Sequence, residues 1–338
     1  DIDISTDARP DRVMELVESA GLKAVPTGID HGTVTVVSGG IPHEITTFRR
    51  DIETDGRRAV VAYSDAVIDD ARRRDFTINA IYASADGTVL DPLDGLPDLE
   101  ARRIRFIEDA DRRIKEDYLR ILRFFRFYAW YGDPAGGMDA EGLAACAANI
   151  SGIASLSKER IGAEMKKLLS APDPAPAVAA MQHTGVIQCV LPGSDAKALS
   201  VLVHVEQETK TAPDPIRRLA ALGGNGQGAA LRLSRDEARK LDLLVKNVGQ
   251  CTAAAVLGYK LGEKAAIDVC LINFELLETV LPPKVRLEIQ RGAKAVFPIK
   301  AADLMPDLIG ETLGAHLNHL ESEWIASDFK LTKKALLS

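Results

Sequence analysis

The chain runs to 338 residues, 46% hydrophobic and 27% charged, with a formal net charge of -7. This describes a folded globular chain with two or more cores, and no apolar run approaches membrane-spanning length. The four cysteines, Cys146, Cys189, Cys251 and Cys270, form no CxxC pair, which argues for a reducing, cytoplasmic setting and against structural zinc or a disulfide framework. Taken alone, the acidic balance counts against a nucleic-acid partner. Residues 101–131, however, carry nine Lys/Arg against five Asp/Glu, a locally basic segment within an acidic protein.

In chain order, DIDI (1–4) alternates acid with isoleucine, and RVMELVESAGL (12–22) has helical apolar spacing closed by Gly21. TVTVV (33–37) and EITTF (44–48) read as β-branched strands joined through a Gly39–Gly40 turn. A helix is expected from near Asp69, carrying ARRRDFTINAIY (71–82), and VLDPLDGLPDLEARRIR (89–105) is rich in turns. Beyond it the pattern is helical. KEDYLRILRFFRFYAWYG (115–132) is amphipathic and closed by glycine, and SLSKERIGAEMKKLLS (155–170) offers Ser157 as a cap, with Arg160 where a full capping box needs an acid. APDPAPA (171–177) reads as a linker, GGNGQG (223–228) as a second break, and Pro282–Pro283 as a further turn. No internal repeat is visible. The expected plan is α+β: a head over 1–96, a helical neck over 97–170, a helical body over 171–250 and a helical tail over 251–338.

The chemistry-bearing residues begin at the first position. In a strand, residues i and i+2 share a face roughly 6–7 Å apart, so Asp1 and Asp3 would project together while Ile2 and Ile4 enter the core. Two hard-oxygen ligands on a strand suit Mg²⁺, with Glu44 on a neighbouring strand as a third candidate. Paired metals roughly 3.5–4 Å apart can serve in-line displacement at phosphorus. On its own, DxD reads more simply as the solvated edge of a strand.

Arg74 is a candidate triphosphate clamp, because the guanidinium fork matches phosphate oxygens. Asp75 can accept from a ribose hydroxyl, and Asn79 lies one turn further on the same face. In EDYLRILR (116–123), Asp117, Arg120 and Arg123 step around one side of a helix at about 100° per residue, and Arg126 extends the stripe. An acceptor beside a donor suits the N4–H₂/N3 edge of cytosine and the N6–H₂/N1 edge of adenine. Guanine and uracil offer the reverse order. The plainer alternative is a solvated helix with i,i+3 ion pairs.

Together, DIDIST, HGTVTVV, EITTFRRDIETDGRR, RRRDFTINAIY, DPLDGLPDLEARRIR, EDYLRILRFFRFYAWYG and SKERIGAEMKKLL resemble the class II tRNA nucleotidyltransferases, the bacterial-type CCA-adding enzymes, and their relatives the bacterial poly(A) polymerases. The motifs keep the family's order over residues 1–170. The resemblance implies a polymerase-β-like palm followed by neck, body and tail helices that hold the tRNA acceptor arm. It implies addition of CCA to tRNA 3′ ends from CTP and ATP with Mg²⁺ and release of pyrophosphate. By the same match Asp1 and Asp3 bind the catalytic metals, Arg74 meets the triphosphate, Asp75 meets the ribose, and Asp117 with Arg120 forms the template for C and A. Arg123 and Arg126 match further nucleotide-contacting arginines. DPLDG (91–95) matches a hinge, and RRDIETDGR (49–57) resembles a flexible loop of complete CCA adders. The family's GGxVRD-like segment is absent before DxD, so DIDI reads as an internal strand, one that would lack its pairing partner if the chain began there.

Two rival readings are a poly(A)- or A-adding enzyme of the same family and a catalytically inactive RNA-binding protein. His316 and His319 share helical spacing without further ligands, and the neck aromatics Phe124, Phe125, Phe127, Trp130 and Tyr131 read as core. Oligomeric state is not encoded in any motif.

Overall fold

The computed structural model describes residues 3–55, 58–276, 284–305 and 308–338; Asp1 and the Pro282–Pro283 turn lie outside the described residues. Two compact units are present, Asp1–Val203 with Thr211–Ala238, and His204–Lys210 with Arg239–Ser338. Among the described residues no helix is long and apolar enough to cross a membrane.

The first unit begins with a four-stranded sheet. Strands β1 (Ile4–Thr6), β2 (Lys23–Gly28), β3 (Thr33–Ser38) and β4 (Ile41–Thr47) lie in the order β1-β4-β3-β2, and helix α1 (Pro10–Ser19) joins β1 to β2. The β3–β4 hairpin is turned by Gly39 and Gly40, at φ 58° and 80°, a backbone state that glycine enters without steric penalty. Alternation along β3 sends Val34 and Val36 into a small core with Val13 and Val17 of α1. β1 pairs in parallel with β4, Ile4 opposite Ile45, so the first strand does have a partner. It is a sheet edge, and Ile4 is 38% exposed, not the core residue that alternation predicts.

Residues 49–55, expected as a loop, form β5 (Arg49–Asp55), paired antiparallel with β6 (Arg58–Tyr63). The helix expected across 69–82 is short: α2 spans Val67–Arg72, a single 3-10 turn covers Thr77–Asn79, and β7 (Tyr82–Ala83) then pairs with β8 (Val89–Leu90). Phe76 explains the break. Extended at φ -122°, ψ 149°, it bridges to Phe106 and is wholly buried among Phe106, Phe124 and Phe127, with ring centroids 4.9–6.2 Å away. Burial of one phenylalanine stabilises by about 1.5–3 kcal/mol, enough to override local helix propensity.

Helices follow: α3 (Leu96–Glu100), α4 (Ala110–Glu116), α5 (Leu119–Tyr131), α6 (Ala140–Ala148), α7 (Lys158–Leu169), α8 (Ala175–His183), α9 (Val186–Val190), α10 (Lys197–Glu208), α11 (Pro215–Leu222), α12 (Gln227–Ala230) and α13 (Arg235–Asn247). The helix expected over 115–132 is interrupted at Asp117, which is extended at φ -155°, ψ 106°. Its carbonyl accepts the Arg120 N–H and its Oδ1 the Leu119 N–H, so it initiates α5 instead of continuing α4. Phe124, Phe125 and Phe127 are buried as expected, whereas Trp130 and Tyr131 are 40% and 50% exposed. Ser157 caps α7 by accepting the Arg160 N–H.

The proline-rich 171–177 segment is not a linker. Ala171 and Ala177 are fully buried, and α8 starts at Ala175. The buried Arg218 guanidinium donates to the carbonyls of Leu169, Ala171 and Pro172. The prolines sit at a helix start, where a missing N–H costs nothing.

In the second unit, α14 (Ala254–Leu261), α15 (Glu263–Leu276) and α16 (Val285–Ala293) precede α17 (Gly310–Ala326) and α18 (Lys333–Leu336). Two glycines let α14 and α16 meet backbone to backbone. A Cβ on Gly258 would strike the carbonyl of Ile289, and one on Gly292 the carbonyl of Ala255. A separate cluster gathers Ile299, Leu320, Trp324 and Leu336, with Phe329 and Tyr259 edge-on or tilted against Trp324 and each other.

Candidate active site

The first unit contains a cleft of about 660 Å³. The sheet contributes Ile4, Ser5, Thr33 and Thr46 to its lining. Asp3 and Glu44 stand one residue before the paired Ile4 and Ile45, on adjacent parallel strands, and both line the cleft. Both are exposed, and neither carboxylate has a hydrogen-bond or ion-pair partner among the described residues. Asp1, the other half of the proposed pair, lies outside the described residues. No cluster of three or more His, Cys, Asp or Glu able to hold a metal occurs among those described.

The α2–β7 segment supplies Arg73, Arg74, Asp75 and Asn79. Arg73 and Arg74 both pair with the buried Asp70, at 2.8 and 3.1 Å, and Tyr82 donates to the same carboxylate at 2.8 Å. Burial opposes ionisation of Asp70, but the arginine charges and these hydrogen bonds outweigh it and hold its pKa below the ordinary value. Arg74 also donates to the Asn79 carbonyl at 3.0 Å and lies over the Tyr82 ring. Three of its five N–H groups are thus engaged, leaving two for an anion.

Asp75 is 6% exposed. Its Oδ1 accepts from the Phe76 N–H and from Asn79 Nδ2 at 3.1 and 2.9 Å, and its Oδ2 from Arg123 Nε at 2.5 Å. Asn79 therefore does reach Asp75, through a 3-10 turn instead of the expected α-helix. One of about four lone-pair positions is left for a ribose hydroxyl. Burial again opposes the charge, and Arg123 and Asn79 overcome it to lower the pKa.

Asp117 and Arg120 line the same cleft with separate partners. Asp117 Oδ2 accepts from Arg160 Nη2 at 2.6 Å. Arg120 pairs with Glu116 at 2.6 Å and donates to the carbonyls of Arg113 and Arg73 at 2.6 and 3.2 Å. The carboxylate keeps about two free lone-pair positions and the guanidinium two free N–H groups. An acceptor and a donor thus remain available in the cleft. Arg123 and Arg126 both lie over Phe127, at 5.3 and 4.4 Å, and Arg126 pairs with the buried Glu164.

Every expected site residue described by the structure lines this one cleft. Sequence reasoning missed Arg49, Arg73 and Arg160, which also line it, and the supporting Glu116 and Glu164. Arg160 stood out only for spoiling a capping box; its role depends on a contact 43 residues away. The histidines do not enter: His319 and Glu323 form an exposed pair on α17.

Two family models match, "Poly A polymerase head domain" over residues 1–105 and "Probable RNA and SrmB- binding site of polymerase A" over residues 138–197. The mouse protein "CCA tRNA nucleotidyltransferase 1, mitochondrial" is 33% identical over 355 residues, covering 100% of this chain and 81% of the relative. A "CCA-adding enzyme" of Geobacillus thermodenitrificans is 39% identical over 195 residues, 57% of this chain and 46% of the relative. The crystal structure of the Bacillus stearothermophilus CCA-adding enzyme in complex with CTP shares the fold, with a TM-score of 0.74 at 24% identity over 97% of this chain and 84% of that one. With a match to a polymerase head domain, a cleft carrying both carboxylates and arginines, and a relative at one-third identity along the whole of this chain, the chain belongs to the CCA tRNA nucleotidyltransferase family.

Proposed function

We propose that this protein adds C, C and A to the 3′ end of tRNA, taking CTP and ATP and releasing pyrophosphate. The observation that carries the reading is the shared cleft: Asp3, Glu44, Asp117 and Arg120 line it together with Arg74, Arg123 and Arg126. The tRNA 3′-hydroxyl attacks the α-phosphate, and the work of the protein is positioning and charge stabilisation. Arg74 offers its two free N–H groups to the triphosphate. Asp75 holds Arg123 toward the cleft and keeps one acceptor position for the ribose. Asp117 accepts from the exocyclic amino group of cytosine or adenine while Arg120 donates to the neighbouring ring nitrogen. Uracil and guanine would set donor against donor and acceptor against acceptor.

Asp3, Glu44 and Asp1 would hold Mg²⁺. The fit rests on donor chemistry: Glu44 on β4 and Asp3 just before β1 are hard oxygen ligands, exposed and without partners among the described residues. When bound, the ion supplies charge stabilisation at the reacting phosphate. The helices beyond residue 170 are proposed to hold the tRNA acceptor arm, with 171–250 as body and 251–338 as tail. The reducing, cytoplasmic setting expected from the sequence is kept as part of this proposal.

The test is incubation with tRNA ending before CCA and each nucleotide separately. Addition of two C residues and then one A is expected. Unlimited A addition would instead identify a poly(A) polymerase, and tRNA binding without turnover an inactive RNA-binding protein.

A further inference from the structure

Arg113 is not among the residues that line the cleft, yet it links two segments that are. It lies in the last turn of α4 and is 5% exposed. Its guanidinium donates to the main-chain carbonyls of Arg73 and Arg74 and to the carboxylate of Glu116. That same carboxylate oxygen accepts from Arg120 at 2.6 Å, and Arg120 reaches back to the carbonyls of Arg113 and Arg73. The contacts close into a ring. One side of the ring is the backbone that carries Arg74, and the other is the side chain facing the base.

The residue type suits this position. A buried cation must be fully partnered, and only a planar fork with five fixed donors can hold two consecutive carbonyls and a carboxylate together. A lysine would present one mobile ammonium.

We infer that Arg113 is a positioning residue for nucleotide choice, setting the depth at which Arg120 meets the base relative to the segment that holds the phosphates. The inference rests on the nucleotide-adding reading above. Without the strut, Arg120 can slide along the base edge, and discrimination falls before phosphate binding does. Small displacements matter in such a site, where a misplacement of about 1 Å can cost about a hundredfold in rate.

The experiment compares kcat/KM for CTP, UTP, ATP and GTP on tRNA lacking CCA, in the whole protein and in Arg113→Lys, Arg113→Ala and Glu116→Gln, each checked by circular dichroism and thermal melting. In folded Arg113→Lys the CTP-to-UTP and ATP-to-GTP ratios are expected to fall about tenfold. Arg113→Ala should fall further, so that lysine is a partial rescue, and Glu116→Gln should move the ratios the same way. Should Arg113→Ala not fold, the other two variants decide. If all four nucleotides decline by a common factor in folded Arg113→Lys, the residue is merely structural and the inference is overturned. A wild-type protein without preference for CTP and ATP would refute the functional reading itself, a result visible before any variant is made.

Discussion

Arg123 Nε lies 2.5 Å from Asp75 Oδ2, the carboxylate almost wholly buried and the guanidinium 31% exposed. The pair ties the segment after α2 to α5 across 48 residues of sequence, and it fixes an arginine at the cleft wall. Asp75→Asn is expected to lower stability by about 1.5–3 kcal/mol, the range for a hydrogen bond to a charged group. The pKa of Asp75 is depressed in the fold from an ordinary 3.8. Its stabilisation is therefore complete above that value and lost as pH falls through the lowered one. Melting temperature measured against pH should fall below about pH 4 more steeply in the wild type than in Asp75→Asn.

Asp3→Ala is expected to abolish chemistry with little change in fold, because Asp3 is exposed and has no partner to lose among the described residues. Removal of a metal ligand should cost about a thousandfold or more in kcat, equivalent to several kcal/mol of transition-state stabilisation. Withholding Mg²⁺ should do the same to the wild type. Single-turnover rates with saturating CTP read this directly, and an unchanged rate would remove Asp3 from the metal site.

Asp117→Ala should relax base choice while leaving the metal end intact. A bidentate base contact is worth about 1–3 kcal/mol, so the preference for CTP over UTP should fall by roughly 5- to 150-fold. Competition between the two nucleotides on one tRNA provides the measurement. Retained preference would place base reading elsewhere.

Gly258→Ala addresses the second unit. The added methyl would meet the Ile289 carbonyl at the contact of α14 with α16, and overpacking of this kind typically costs about 1–3 kcal/mol. Thermal or urea unfolding should show the loss. Gly314 on α17, where a Cβ meets nothing within 4 Å, is the control: Gly314→Ala should be neutral or slightly stabilising.

The sequence disclosed the architecture where local pattern decides the outcome. The Val34/Val36 alternation, the Gly39–Gly40 turn and the Ser157 cap all sit as expected. It misled where distant contacts win. Phe76 breaks the expected helix because its ring belongs in a cluster with Phe106 and Phe127, and the 171–177 segment leads into helix α8, its entry held by Arg218 at the carbonyls of Leu169 and Ala171. The site was legible as residue types but not as partnerships. Asp117 and Arg120 are sequence neighbours, yet each is oriented by other groups, Arg160 in one case and Glu116 in the other. No periodicity encodes such long-range pairing.

The interruption at Asp117 also changes how the site tolerates evolutionary drift. An acid on a continuous helix could migrate by a full turn and still look inward. Here the carboxylate is fixed by an extended backbone and by an N–H two residues ahead, so a single insertion or deletion between α4 and α5 would swing it away from the cleft. On the proposed base-reading role of Asp117, the length of this joint matters as much as the chemistry of the helices beside it.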